Sequence, residues 1–475
     1  MSRPTKVVVV GAGMGAVRLA EGLAGSGDPI EVTLVGDETH LPYNRILLSA
    51  VLEGTHSADA LTLRSADWYA DHRIDLRLGT RVLEIDRPAH EVVLVDGTRL
   101  TYDRLVLATG SIPTLPPIRG LVRVDGRLHP DVHAFRSLDD CRRLAAALSP
   151  STADTRRAVV VGGGLLGLQV ARALSVRGVV TEIVEGAEHL LASQVGTQAG
   201  RILARDLRRL GTEIYTGARA VRLTEDGLRL DNGHTLSTDL VVLTAGGRPS
   251  TALARAAGLD VRRGVVVDDH LTTSDPAIHA IGDCAQHHDR TTGFVPPAWE
   301  QAEVLAAHLR GEPTSYDGSR TVARLRATDL DVAVLGDVDA VGEVVEVANP
   351  VVGSHRRLVV ANGRIVAATL VGDLSRIGLI TQLYDRRTRL GPHEPGDLLL
   401  GASTGSTSDV GLVVNDASEV CSCAGVTAGA IRACASLDDV RNTTRATTGC
   451  GGCSETVRHL LATRTPRIDL EGATP

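Results

Sequence analysis

Aromatic side chains are scarce in this sequence: two Trp, six Tyr and two Phe among 475 residues. Val, Leu, Ile and Ala must therefore fill its cores. Cysteine is absent before Cys141, which excludes a thiol relay in the N-terminal part of the chain. There is no long basic run, and the formal net charge is −7. Both points argue against nucleic acid or an anionic membrane surface as the main partner. No apolar stretch is long enough to span a bilayer. The opening run Val7–Val10 meets Gly11 too soon to be a signal-peptide core. A soluble, cytoplasmic protein is expected. At roughly 150 residues per domain, the length calls for about three domains.

What is present is a nucleotide-binding plan written twice. Val7-Val8-Val9-Val10 runs into Gly11-Ala12-Gly13-Met14-Gly15-Ala16, a G-x-G-x-x-A motif, followed by Val17, Leu19, Ala20 and Leu23 at helical spacing. Gly11 makes the tight turn, Gly13 lets the backbone approach a pyrophosphate, and Ala16 lets helix and strand pack closely. The helix N-terminus then faces phosphate charge. A second strand, Ile30–Val35, ends at Gly36-Asp37-Glu38, where a carboxylate can accept ribose hydroxyls. The second copy is Ala158–Val161 followed by Gly162-Gly163-Gly164-Leu165-Leu166-Gly167, a full G-x-G-x-x-G. Its next strand ends at Glu185. A carboxylate there binds a free 2′-hydroxyl and repels a 2′-phosphate, which favours NADH over NADPH.

One glycine motif alone is as often an ordinary turn. Two, each with a strand before, a helix after and an acidic strand end beyond, are much more specific. A further internal repeat supports the duplication. Asp96-Gly97 is followed by Asp103–Leu107 and Thr109-Gly110, and Asn232-Gly233 by Asp239–Leu243 and Gly246, at one constant offset. Each copy reads as a hairpin turn, a strand and a glycine stop.

Of seven cysteines, Cys421, Cys423, Cys434, Cys450 and Cys453 cluster near the C-terminal end. In a reducing cytosol such clustering suggests a metal site. Cys421-Ser422-Cys423 and Cys450-Gly451-Gly452-Cys453 offer four thiolates, which can hold [2Fe–2S] or zinc. Glycines beside the second pair leave room for sulfides and expose N–H donors. Val426, Ala430, Ile431 and Cys434 suit one short helix, with Cys434 as a core residue, and Leu437, Val440 and Thr444 suit another. Residues 403–408 form a small polar linker.

On these motifs the chain resembles the two-dinucleotide-binding-domain flavoprotein reductases over roughly residues 5–310. The resemblance implies an α/β fold with two Rossmann-like domains. An FAD domain (1–115 and 245–310) is interrupted by an NAD(P)H domain (116–244). A small α/β domain at 312–395, for dimerisation or docking, and a linker at 396–417 follow. In the family, the aspartate of a third motif, here Ile281-Gly282-Asp283, binds the flavin ribityl chain, and Arg45 looks like the arginine near the FAD pyrophosphate. Val82, Thr109 and Gly110 fall among the expected FAD residues. Trp299-Glu300-Gln301-Ala302 begins a helix and resembles the segment beside the flavin, the alternative being an aromatic packed on the core.

Relatives with a lysine after the Leu-Ser step and a glutamate beyond the second glycine motif pair them beside the flavin. This chain has Ala50 and Gln169 there. Losing both leaves no buried charge alone, and Gln169 is expected to contact the nicotinamide. No side chain is expected to act as a nucleophile.

The C-terminal segment, 418–462, resembles the bacterioferritin-associated-ferredoxin-like [2Fe–2S] domain, which makes Cys421, Cys423, Cys450 and Cys453 the metal ligands. Both parts together are similar to the flavin-and-cluster portion of assimilatory NAD(P)H nitrite reductases. They are closer still to the electron-transfer subunits of assimilatory nitrate reductases. FAD, NADH (or NADPH) and a [2Fe–2S] cluster are the cofactors this implies. Because the sequence shows no later sirohaem cysteine set, a separate nitrate or nitrite reductase subunit is the expected partner. The alternatives are a ferredoxin or rubredoxin reductase serving an oxygenase or another carrier, a reductase releasing iron from bacterioferritin, and a non-redox zinc docking tail.

Overall fold

A computed structural model describes residues 3–24, 29–148, 156–325, 327–391, 394–400, 415–421, 426–444, 446–447 and 453–463. The chain divides into two compact units, residues 1–401 and 402–475.

The larger unit is built on two parallel five-stranded sheets. In the first, Thr5–Val10 is central, flanked by Ile30–Val35 and Arg104–Leu107. Beyond these lie Ile74–Arg77 on one side and Ile278–Ala280 on the other. Val7 to Val10 are at most 6% exposed, as expected of a strand covered on both faces. Helices Met14–Ala24 and Val295–Leu309 pack together against this sheet. In the second sheet Arg157–Val161 lies between Val180–Glu185 and Leu240–Leu243, with Thr212–Thr216 and Val132–Ala134 at the edges. The repeat noticed in the sequence is the same structural unit twice. Hairpins Glu91–Leu94/Arg99–Thr101 and Gly227–Leu230/Thr235–Leu236 turn at Gly97 and Gly233. The strands that follow, Arg104–Leu107 and Leu240–Leu243, pair in parallel with the two glycine-motif strands.

A third sheet is wholly antiparallel, in the order Val322–Arg324, Val332–Leu335, Arg364–Val371, Ser354–Ala361, Glu343–Asn349. Helix Ile377–Asp385 packs on it. The smaller unit contains a short strand pair, Glu419–Cys421 with Val426–Thr427, and helices Ala428–Arg432, Leu437–Thr444 and Ser454–Ala462. Val426 pairs in the strand, so the first short helix begins two residues later than the sequence suggested. Thr427 ends that strand as the N-cap, its hydroxyl accepting from the Ala430 amide. Cys434 is 4% exposed in this core, as expected. The 403–408 linker lies outside the described residues. Among the described residues no helix is long and apolar enough to cross a membrane.

His279 lies on the edge strand Ile278–Ala280, 1% exposed, with no partner for Nε2. Burial, and then the neighbouring His308 and Arg104, push its pKa down to about 4 against a weaker opposing pull from Asp268. The unfolded chain thus binds this proton more readily. Stability from the neutral ring is complete above about pH 6.5 and is lost as pH falls towards 4, by about 3 kcal/mol in all. His279→Leu is expected to lose less of its thermal midpoint than the parent between pH 7 and 4.5. Parallel pH profiles would rule this out.

Candidate functional site

Three separated segments meet at the C-terminal ends of the first sheet. The turn at Gly11 follows the central strand, and its φ of +114° suits glycine. A Cβ there would lie 2.1 Å from the Ala108 carbonyl oxygen, so the turn sits directly on the chain leading to Thr109 and Gly110. Gly15 and Gly282 both face Ala298, at 3.6 and 3.7 Å from where their Cβ atoms would be. The glycine turn, Thr109-Gly110 and the Gly282-Asp283 turn therefore share one crevice, where parallel sheets bind nucleotides. The space beside Gly13 is open, with no atom within 4 Å of a built Cβ. Helix Met14–Ala24 has no acidic residue in its first turn, and Ala16 is 1% exposed against the core. An open backbone edge at a helix N-terminus free of acidic residues fits a pyrophosphate.

Glu38, Tyr43 and Arg45 form one cluster. The Tyr43 hydroxyl donates to Glu38 Oε2 at 2.6 Å, Arg45 Nη2 pairs with Glu38 Oε1, and the Leu138 amide donates to the Tyr43 oxygen at 2.8 Å. Burial, reinforced by Glu38, raises the Tyr43 pKa well above the usual phenol range, so the hydroxyl stays a donor. For Arg45, burial opposes the charge, but Tyr43 and Glu38 outweigh it and raise the pKa. Arg45 therefore remains a cation within the crevice. Of the two carboxylates expected at the ribose, Asp37 is the more open: its side chain is 60% exposed and 3.4 Å from Arg81. Val82, the next residue, is buried in the core of this unit.

Arg136 belongs to no sequence motif, yet it reaches the expected ribityl site. Its Nη2 lies 2.7 Å from Asp283 Oδ2, its Nε donates to the Ser111 carbonyl at 2.8 Å, and Ser111 Oγ donates to the same Asp283 oxygen at 2.7 Å. Arg45 Nη1 donates to the Arg136 carbonyl at 3.4 Å. The local signal was the N-terminal capping box of the next helix, formed by Ser137 and Asp140. It fixes the backbone at Arg136, since Asp140 also accepts the Arg136 amide.

Trp299 lies one turn inside helix Val295–Leu309, not at its start, because Pro296 and Pro297 occupy the opening positions. It is 4% exposed and its indole N–H donates to the Met14 carbonyl at 3.3 Å. Gln301, within the segment likened to the one beside the flavin, accepts the Gly282 amide at 2.7 Å and so holds the Asp283 turn.

The second glycine motif repeats the design. A Cβ on Gly167 would lie 1.9 Å from the Gly162 carbonyl oxygen, so only glycine permits this helix-to-turn approach. The space at Gly164 is open. Both Glu185 oxygens are fixed by backbone donors: Gly163 N at 2.6 Å and Ala187 N at 2.7 Å. A carboxylate anchored beside the glycine turn suits a ribose diol. Gln169 is 8% exposed on helix Leu165–Val176, which packs on helix Leu48–Glu53, the carrier of Ala50. The nearby thiol of Cys141 is buried, its Sγ 3.5 Å from the Leu48 carbonyl, and burial pushes its pKa up to about 11. It is thus no thiolate at neutral pH.

In the smaller unit Cys421 and Cys453 are 3% and 6% exposed and share one small core. The Thr447 amide donates to Cys453 Sγ at 3.2 Å. Thr447 is held at φ +72°, and Arg441 Nε donates to its hydroxyl at 3.3 Å. An N–H aimed at a cysteine sulfur stabilises a thiolate ligand. Cys423 and Cys450 lie outside the described residues.

Comparison with known proteins agrees with this geometry. Residues 5–302 match the pyridine nucleotide-disulphide oxidoreductase family model, and residues 419–463 match the BFD-like [2Fe–2S] binding domain. The chain is 33% identical over 471 residues to a nitrite reductase [NAD(P)H] of Bacillus subtilis (strain 168), covering 96% of this chain and 57% of that protein. It is 31% identical over 478 residues to the assimilatory nitrate reductase electron transfer subunit of the same organism, covering 96% and 59%. It thus spans less than three fifths of the length of these relatives. Among solved structures, the covalent putidaredoxin reductase–putidaredoxin complex matches with a TM-score of 0.76 and 30% identity, over 84% of this chain and 96% of that one. The chain belongs to the pyridine nucleotide-disulphide oxidoreductase family, as an NAD(P)H-dependent FAD oxidoreductase that also carries a BFD-like [2Fe–2S] domain.

Proposed function

We propose that this chain draws electrons from NADH and delivers them to a separate nitrate or nitrite reductase catalytic centre. The observation carrying this reading is that both units fall within one continuous match to an electron-transfer subunit of nitrate assimilation. When bound, FAD supplies two-electron uptake from nicotinamide with single-electron release, and a [2Fe–2S] cluster supplies a one-electron outlet. The residues supply binding and alignment. Gly11, Gly13, Gly15 and Ala16 shape the flavin pyrophosphate turn, and Arg45 adds a fixed positive charge. Asp37 is the ribose acceptor, since Glu38 is committed to Arg45 and Tyr43. Asp283, oriented by Arg136 and Ser111, takes the ribityl hydroxyls beside Thr109 and Gly110. Gly162, Gly164 and Gly167 receive the NADH pyrophosphate, and Glu185 its ribose. Cys421, Cys423, Cys450 and Cys453 hold the cluster.

Anaerobic titration with NADH tests the whole reading. Flavin bleaching accompanied by an electron paramagnetic signal of a reduced [2Fe–2S] cluster is expected, followed by reoxidation on adding the nitrate or nitrite reductase subunit. Bleaching with no cluster signal would leave a simple diaphorase. The likeness to putidaredoxin reductase supports a second reading, delivery to a small ferredoxin. Reoxidation by ferredoxin but not by the reductase subunit would establish it.

In this reading Gln169 contacts the nicotinamide. Gln169→Ala is expected to slow flavin reduction in stopped flow about tenfold, the worth of one well-placed hydrogen bond. An unchanged rate would remove Gln169 from the site.

A further inference from the structure

Outside the nucleotide crevices, three potential metal-binding side chains converge on one face of the larger unit. Strands Val265–Val267 and Ala285–His287 run in parallel, with Val267 opposite His287. Asp269 lies two residues past the end of the first strand. Its turn is fixed by Asp268, whose Oδ1 accepts the His270 and Thr272 amides at 2.9 Å each. His287 ends the second strand, its side chain 7% exposed, with Nε2 2.8 Å from Asp269 Oδ1.

His288 should point away, because successive side chains on an extended strand alternate faces. It does not. Its backbone sits at φ +50°, a left-handed conformation disfavoured for residues other than glycine. The turn brings its ring to the same side, with centroids 4.1 Å from His287 and Nε2 3.5 Å from Asp269 Oδ1. One ligand atom from each of the three residues thus lies within 4.8 Å of the other two. In tetrahedral coordination with bonds of about 2.0–2.1 Å, ligand atoms stand roughly 3.3 Å apart. Small side-chain shifts would reach that spacing.

We propose that Asp269, His287 and His288 form a binding site for a divalent transition ion, with Zn²⁺ the best match to two imidazoles and one carboxylate. The ion replaces the His287–Asp269 hydrogen bond with two coordinate bonds and gains a third from His288. Solvent fills the remaining position, on the side where Asp269 and His288 are exposed (55% and 76%). The site ties the Asp269 turn to the strand ending at His287. It also steadies the chain leading to the third sheet, since the Tyr316 amide donates to the Asp269 carbonyl at 2.8 Å and the Tyr316 ring stands edge-on to His287 at 4.9 Å.

The test is calorimetric titration of the full-length protein, cofactors bound, with Zn²⁺ alone. His288→Asn is the informative variant, because asparagine tolerates the left-handed backbone but removes the imidazole. Asp269→Asn is the second, and both positions are exposed enough for folding to survive. The parent is expected to bind one more Zn²⁺ equivalent at micromolar concentration than either variant, whose affinity at this site should fall about 100-fold or more. The same Zn²⁺ should raise the thermal midpoint of the parent alone. Identical isotherms for parent and both variants would overturn the proposal.

Discussion

Full-length Cys453→Ser is expected to lose its iron while still bleaching its flavin with NADH. Cys453 is nearly buried in the small core, with the Thr447 amide directed at its sulfur. A serine hydroxyl is a poor substitute, because cluster binding depends on thiolate charge and softness. Iron content should fall from about two atoms per chain to near none, and NADH-driven reduction of any acceptor served through the cluster should fall with it. Cys434→Ser is the matched control. Its thiol is also buried, with Sγ 3.3 Å from the Ala430 carbonyl oxygen. That variant should keep its iron at a modest stability cost of about 1 kcal/mol. Equal loss of iron in both variants would mean that the small core had unfolded, or that the ligand set is different. Stoichiometric zinc in the parent, without a visible cluster spectrum, would retire the redox role of the tail.

The second large effect separates the two nucleotide sites. Gly11→Ala must place a methyl group 2.1 Å from the Ala108 carbonyl oxygen while holding φ at +114°. The backbone term and the overlap together cost about 3 kcal/mol or more, and the strain falls on the turn proposed to receive the pyrophosphate. The protein should purify without FAD and show no diaphorase activity. Gly167→Ala puts its methyl 1.9 Å from the Gly162 carbonyl oxygen. That variant should retain yellow, dithionite-reducible flavin yet respond to NADH at least 100-fold more slowly. If both substitutions removed flavin equally, assigning one glycine motif to each nucleotide would be wrong.

Much of this was legible in the sequence because the signals were local. A strand, glycine turn and helix occur consecutively, so Gly11–Ala16 and Gly162–Gly167 announced themselves. The hairpins at Gly97 and Gly233 were equally readable, since Asp-Gly and Asn-Gly favour tight turns. What escaped depends on tertiary approach. Arg136 meets Asp283, and Gln301 meets the Gly282 amide, only after the sheets assemble. Glu38 was read as a candidate for a ribose; its pairing with Arg45 was not legible in the sequence. Trp299 was expected to begin its helix, but the helix starts at Val295, with Pro296 and Pro297 in its first turn, where they cost no hydrogen bond. His288 was invisible for a related reason, since nothing in a His-His pair foretells a positive φ.

The first sheet has a consequence for how the protein is made. Its edge strand Ile278–Ala280 registers against Leu105–Leu107, with the whole second sheet encoded between them. On the ribosome, Arg104–Leu107 must wait with one edge unpaired while that intervening stretch is synthesised. At typical translation speeds this delay is roughly ten to thirty seconds. An open parallel edge invites pairing with the wrong neighbour. The newly made N-terminal segment is thus exposed to mispairing until Ile278 emerges, and a message truncated before Ile278 is expected to yield an aggregating product unable to retain flavin.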